Sequence, residues 1–242
     1  MKLAPSPTVL LILALSLGGC QKPLQDAFGE QVRAYLLSHP EVLEETAQKL
    51  QEKKAEKASF EVKSGLKAQR AALEADSRDL VINPSGKITL VEFFDYRCGY
   101  CKLAAPEVMK IANENPNIRI VFKEFPIFGG VSNLAAQIAL TPAGKAHGFN
   151  LYKGFMSEKA LDNTAIERIL RSEGLNPAEV FKAASEAGIT KQLEDTHALA
   201  QALNIEGTPA FIIGDHLIPG ADISALRAAI AEAQSGPLKR PT

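Results

Sequence analysis

Two cysteines separated by two residues, Cys98 and Cys101, stand where an apolar run ends and a helical pattern begins. Ile88 to Phe94 reads as a buried strand, Gly99 to about Glu114 as a helix stopped by Asn115-Pro116-Asn117, and Ile118 to Phe122 as a second core strand. Strand, helix, strand is the order of a parallel crossover. It sets Cys98 at a helix entrance, where unpaired amides and the positive end of the dipole stabilise a thiolate. Pro106 removes one amide and is expected to bend this helix.

The chain has three cysteines, and the third has a different setting. Lys2, the apolar run Val9 to Leu17 and Leu17-Gly18-Gly19-Cys20 form an export signal over residues 1–19. The four residues at its end resemble the bacterial lipobox, which implies cleavage before Cys20 and a lipid on its sulfur; the alternative is a plain secretion signal with an incidental cysteine. Several acyl chains there would hold the protein on a membrane surface without spanning it. With Cys20 assigned to processing, only the close pair remains, which is too little for a disulfide framework and reads as chemistry.

The 242 residues suffice for one catalytic domain and an appendage, and a formal charge of −1 argues against a nucleic-acid partner. From Leu24 to about Ala75 good helix formers dominate. Phe28, Val32 and Leu36, then Leu43, Ala47 and Leu50, make an apolar stripe too thin to be a core. The expected role of residues 20–78 is an oligomerisation segment, with a helical linker as the alternative. Ser38-His39-Pro40-Glu41 reads as a capping box between two helices.

Residues 79–235 hold the catalytic domain and 236–242 a disordered tail. Leu80 to Ile82 is a short strand before the turn Asn83-Pro84-Ser85-Gly86. A helical insertion of about 131–187 follows Gly129-Gly130, with helices expected at Ser132–Leu140, Lys145–Met156, Asn163–Arg171 and Pro177–Ala187. A helix from Lys191 to Leu203 then leads to Gly207-Thr208-Pro209. The strand Ala210–Ile213, the tight turn Gly214-Asp215, the return strand His216–Ile218 and a helix from Asp222 to Ala233 close the domain.

The segment Val91-Glu92-Phe93-Phe94-Asp95-Tyr96-Arg97-Cys98-Gly99-Tyr100-Cys101, with Phe122-Lys123-Glu124-Phe125-Pro126 and Gly207-Thr208-Pro209-Ala210-Phe211, resembles bacterial periplasmic proteins of the DsbA-like thioredoxin superfamily over roughly Leu80 to Ala233. The amino-terminal helices resemble those of its ScsC subgroup. The resemblance implies an α/β thioredoxin-like fold with a helical insertion and an N-terminal helical extension. It further implies that Cys98 attacks, Cys101 resolves and Pro209 is a cis-proline facing them, with Thr208 before it offering backbone to an extended substrate. Gly99 and Tyr100 replace the Pro-His of the familiar oxidase and would tune the pair.

In the same family a carboxylate at the position of Glu92 is buried and moves protons near the resolving cysteine; a strand-end surface residue is the alternative. Lys123 is a candidate partner for that acid, or a solvated lysine. Phe94, Tyr96, Phe125 and Phe128 would shape a peptide surface, although core packing is the default for each. The partners implied are exported cysteine-containing proteins, a membrane redox protein and further copies of this chain through 24–75, in the bacterial periplasm. No cofactor and no metal site are expected.

Three readings of the chemistry stand: a disulfide isomerase or reductase, a dithiol oxidase, and a holdase or thiol-based chaperone for a soft metal such as copper. A Cys-His hydrolase would need a histidine carried to Cys98, and His39, His147, His197 and His216 lie in scattered segments.

Overall fold

A computed structural model describes residues 21–236, with side chains from 27 onward. The export signal, the lipobox with Cys20 and nearly all of the expected disordered tail, residues 237–242, lie outside the described residues. The chain divides into two compact units, one ending at Lys57 and one beginning at Ala58.

The first unit holds α1 (Gln21–Ser38) and the start of α2 (Glu41–Ala68). Its apolar side chains are open to solvent: Phe28, Leu37, Leu43 and Leu50 are each more than half exposed. The expected capping box does not form. Ser38 Oγ donates backward to the carbonyls of Ala34 (3.0 Å) and Tyr35 (2.9 Å), so it closes α1 rather than opening α2. Glu41 meets His39 Nδ1 at 3.2 Å instead of reaching back to a backbone amide.

In the second unit the elements run α3 (Arg70–Glu74), β1 (Leu80–Ile82), β2 (Ile88–Phe94), α4 (Gly99–Glu114) and β3 (Ile118–Glu124). Helices α5 (Gly130–Leu140), α6 (Pro142–Ala146), α7 (Gly148–Ser157), α8 (Asn163–Ser172) and α9 (Pro177–Ala184) form the insertion. Then come α10 (Ala187–Ala202), β4 (Ala210–Ile213), β5 (His216–Pro219) and α11 (Ile223–Ser235). The strands form one sheet in the order β1-β3-β2-β4-β5, parallel only between β2 and β3. This is a mixed α/β thioredoxin-like fold.

Alternation along β2 divides the core in two. Leu90 and Phe94 join Phe122, Phe211, α4 and the insertion on one face. Val91 and Phe93 join Val121, Ile212, Leu199 and Leu203 on the other, together with Leu66 and Leu73. Leu66 and Leu73 are fully buried, each worth roughly 1.5–3 kcal/mol. The expected boundary at 78/79 therefore lies too far along: the compact unit takes in the end of α2 and all of α3.

Where a single helix is expected over Lys145–Met156, the chain makes two that meet at His147. Thr141 Oγ1 accepts from Gly144 N at 2.8 Å and Pro142 takes the first turn, which starts α6 earlier. Gly144 and Gly148 allow the close packing: a Cβ on the first would stand 1.9 Å from the Ile138 carbonyl oxygen, and on the second 2.4 Å from Leu80 Cδ1. The helix expected to reach Ala187 stops at Ala184, and α10 starts at Ala187.

Candidate functional site

Cys98 is the N-cap of α4, with φ −69° and ψ 121°, and its backbone N donates to the Asp95 carbonyl at 3.1 Å. The chain leaves β2 in extended conformation, turns over Asp95–Cys98 and enters the helix, so the first amides of α4 point toward the sulfur. Both cysteines are free thiols; Cys98 is 4% exposed and Cys101 not at all. The Cys98 thiol donates to the Thr208 carbonyl at 3.2 Å, and Thr208–Pro209 is a cis peptide. Loops separated by more than a hundred residues therefore meet at one sulfur.

The two thiols are driven apart. Donation from the Cys101 thiol, then contributions from Thr208 and the amides of Cys101 and Tyr100, bring Cys98 from 9.0 down to about 5 against the opposing cost of burial. Burial above all, then its bond to Cys98 and the charge of Glu92, pushes Cys101 up. Thr208 Oγ1 is buried without a hydrogen-bond partner among the described residues. Its hydroxyl is the Thr208 group that favours the Cys98 thiolate.

A thiol lowered in the folded state stabilises the fold fully above the ordinary value, and that contribution declines as pH falls through the folded value. The reduced protein is therefore expected to lose its thermal advantage over Cys98→Ala between pH 9 and pH 5. Calorimetric melts at pH 5, 7 and 9 measure this, and a constant difference would contradict the titration.

Glu92 is fully buried beneath the pair rather than at a strand-end surface. Tyr152 of α7 donates its hydroxyl to both carboxyl oxygens, at 3.2 and 3.1 Å. Burial raises the acid from 4.5 to about 8, the tyrosine bond opposing the shift. Lys123 is not its partner. In the parallel register Glu92 pairs with Phe122 and Phe93 with Lys123, so Lys123 shares the opposite face. There it is 2% exposed, bound to the Asp79 carboxylate and to the Ala72 carbonyl (2.6 Å), with Gln192 also on Asp79 at 3.3 Å.

The remaining expected residues divide by exposure. Tyr100 is 66% exposed and Phe128 54%, and a Cβ on Gly99 would meet nothing within 4 Å. Phe94, Tyr96 and Phe125 are core side chains. Four residues that sequence reasoning passed over also bear on the site. Tyr96 donates to Glu124 Oε1 at 2.8 Å, a second buried acid held well above its ordinary value by burial. Lys102 binds the Phe155 and Glu158 carbonyls at 3.3 and 2.5 Å, joining α4 to the end of α7. Asp95 is a buried acceptor beside the cysteine turn. Asp95 and Glu124 are acids inside apolar runs, a signal legible beforehand; Tyr152 carries none, being 60 residues from Glu92. Among the described residues no three His, Cys, Asp or Glu side chains cluster as a metal site.

The DSBA-like thioredoxin domain family matches residues 89–231, and the family of the copper resistance protein ScsC N-terminal domain matches 25–57. The thiol:disulfide interchange protein DsbA of Bordetella pertussis is 28% identical over 135 residues, 53% of this chain and 64% of that one, so the chain spans under two thirds of that relative. A thioredoxin-like oxidoreductase from Silicibacter pomeroyi superposes with TM-score 0.63 at 35% identity, over 69% of this chain and 98% of its own. Proteus mirabilis ScsC in a compact conformation gives 0.64 at 31% identity, over 89% and 100%.

Proposed function

The chain belongs to the DSBA-like thioredoxin domain family, and from that premise we propose that it carries out thiol–disulfide exchange on exported, cysteine-containing proteins of the bacterial periplasm. The observation that carries this reading is the opposed displacement of the thiols: Cys98 titrates at about 5 while Cys101 is held protonated. At neutral pH one sulfur is then a nucleophile and the other a stored thiol.

In this reading the Cys98 thiolate attacks a substrate disulfide, forming a mixed disulfide and releasing one substrate thiolate. Cys101 then gives up its proton and attacks the Cys98 sulfur, releasing the second substrate thiolate and leaving the pair oxidised. Run backward, the same steps oxidise a substrate dithiol. Rearrangement of substrate sulfurs while Cys98 stays bound is isomerisation, which needs no net electrons. The Thr208–Pro209 loop, beside a groove lined by Ile205, Leu217 and Pro219, is suited to hold extended substrate backbone.

Glu92, at about 8, is matched to take up the Cys101 proton near neutral pH. Glu92→Gln is expected to slow release from a preformed mixed disulfide by roughly 10²-fold, with alkylation of Cys98 little altered. Stopped-flow release at pH 7 checks this, and equal release rates would remove Glu92 from the mechanism.

A thiol at about 5 falls between the reducing and oxidising ends of the thioredoxin superfamily. The direction is therefore assigned from the amino-terminal segment. Exposed Phe28, Leu37, Leu43 and Leu50 suit contact with further copies of the chain, which would present several attacking sulfurs to one misfolded substrate and favour isomerase or reductase action. Dithiol oxidation is the alternative, and a membrane redox protein would reset the pair in either case. Reactivation of a scrambled disulfide substrate tests this, with and without residues 24–57; the cut stops there because Leu66 and Leu73 belong to the core. Full-length activity that falls at least tenfold on truncation, together with loss of oligomers in sedimentation, is the expected result. A monomer that oxidises dithiols but reactivates nothing would favour the oxidase. Client protection that survives Cys98→Ser would favour a holdase.

A further inference from the structure

We propose that Asp95 is a positioning residue for substrate recognition, fastening the apolar loop at Ile127 and Phe128 beside the cysteine turn so that both bear on the residues flanking a substrate cysteine. The inference rests on the exchange reading and deepens it. Asp95 is 1% exposed, and both oxygens of its carboxylate accept hydrogen bonds. Oδ1 takes the Arg97 amide at 2.7 Å and the Ser132 hydroxyl at 2.8 Å. Oδ2 takes the amides of Ile127 at 2.8 Å and Phe128 at 3.2 Å. Its own carbonyl receives the Cys98 amide at 3.1 Å.

One residue thus builds the turn that caps α4 with Cys98 and holds the loop that follows β3. Asp95 is the acceptor for two successive amides of that loop. Pro126 brings no donor, and past Phe125, whose amide still bonds to Phe94 at 2.9 Å, the chain has left the sheet. Gly129 and Gly130, at φ +61° and +41°, then reverse it into α5. Without Asp95 the amides of Ile127 and Phe128 would lose their acceptor.

The loop's side chains behave differently from its backbone. Ile127 is 39% and Phe128 54% exposed, while Tyr100 and Leu103 at the start of α4 are 66% and 70% exposed. Apolar side chains therefore stand out from both elements that Asp95 ties together, and the reactive sulfur belongs to the turn that Asp95 builds. The occupant this suits is the apolar sequence around a cysteine in an unfolded polypeptide, because Cys98 must reach that cysteine for any exchange to occur.

The test is single-turnover reduction by the reduced full-length protein of two synthetic peptides, each with one cysteine in a mixed disulfide with thionitrobenzoate. Cys98 attacks the peptide sulfur and expels thionitrobenzoate; Cys101, giving up its proton, then attacks Cys98 and expels the peptide thiol, leaving the Cys98–Cys101 disulfide two electrons more oxidised. One peptide has Leu and Phe beside its cysteine and the other Ser and Gly. Wild type is expected to half-saturate at a lower concentration of the apolar peptide. Asp95→Asn replaces one acceptor oxygen with an NH₂ facing donors, and about tenfold of that preference should be lost. Phe128→Ser, a change at an exposed side chain, should cost a similar factor if Asp95→Asn proves too unstable to assay. In both variants the loss falls mainly on the half-saturating concentration, not the limiting rate. Equal preference in wild type and Phe128→Ser, or a loss confined to the limiting rate, overturns the inference alone. A wild-type protein inert toward both peptides and toward oxidised glutathione defeats the exchange reading beneath it.

Discussion

Cys98→Ser is expected to abolish mixed-disulfide formation and reactivation of scrambled substrate together, a fall of roughly 10³-fold or more, as when an enzyme loses its nucleophile. The size of the effect follows from the asymmetry of the pair. Cys101 is fully buried and pushed upward in pKa by burial, so it is not an anion that can stand in for Cys98. Cys101→Ser should do the opposite to the intermediate. The first attack survives, the second sulfur is missing, and disulfide-linked protein–substrate adducts accumulate on non-reducing gels. Should the two substitutions behave alike, with neither trapping an adduct, the assignment of attacking and resolving roles would be wrong.

The second large effect falls on stability and arises on the opposite face of the sheet. Lys123→Met leaves the Asp79 carboxylate 2% exposed with Gln192, at 3.3 Å, as its remaining side-chain partner among the described residues, and removes the bond to the Ala72 carbonyl. Breaking one side of a buried ion pair costs about 3–5 kcal/mol. For a domain of this size that lowers the melting temperature by roughly 10 °C. Replacing both partners, Lys123→Met with Asp79→Leu, should recover most of the loss, since the uncompensated charge goes with its partner. Thermal and urea melts of the single and double variants decide it. A single variant as stable as wild type would mean that the pair contributes no more than an exposed one.

Much of the fold was legible because its signals are local. The apolar runs at Ile88–Phe94 and Ala210–Ile213, the stop at Asn115-Pro116-Asn117 and the turn at Gly214-Asp215 each concern a few adjacent residues, and strands and helices form at those places. The position of Cys98 at the helix entrance was legible for the same reason. Lys123 was misread because an acid and a base in neighbouring strands look like partners until the register is known, and the parallel pairing sets them on opposite faces. The domain boundary was misread because Leu66 and Leu73 look no different from the exposed leucines of the same helical stretch. What distinguishes them is a cluster of residues distant in sequence, Val91, Phe93 and Leu203 among them. Tyr152 stayed invisible for a like reason, being an ordinary helical tyrosine until α7 carries it to Glu92.

A strand whose alternate residues carry unlike chemistry tolerates no change of length. Deleting one residue between Ile88 and Val91 while the pairing of β2 with β3 and β4 held would move every later side chain to the other face. The acid would then lie among Leu199 and Leu203, and a phenylalanine would occupy the place beneath the sulfurs. Insertions and deletions compatible with a working protein should therefore spare this strand and collect in surface connections such as Lys159-Ala160, where two helices of the insertion are joined.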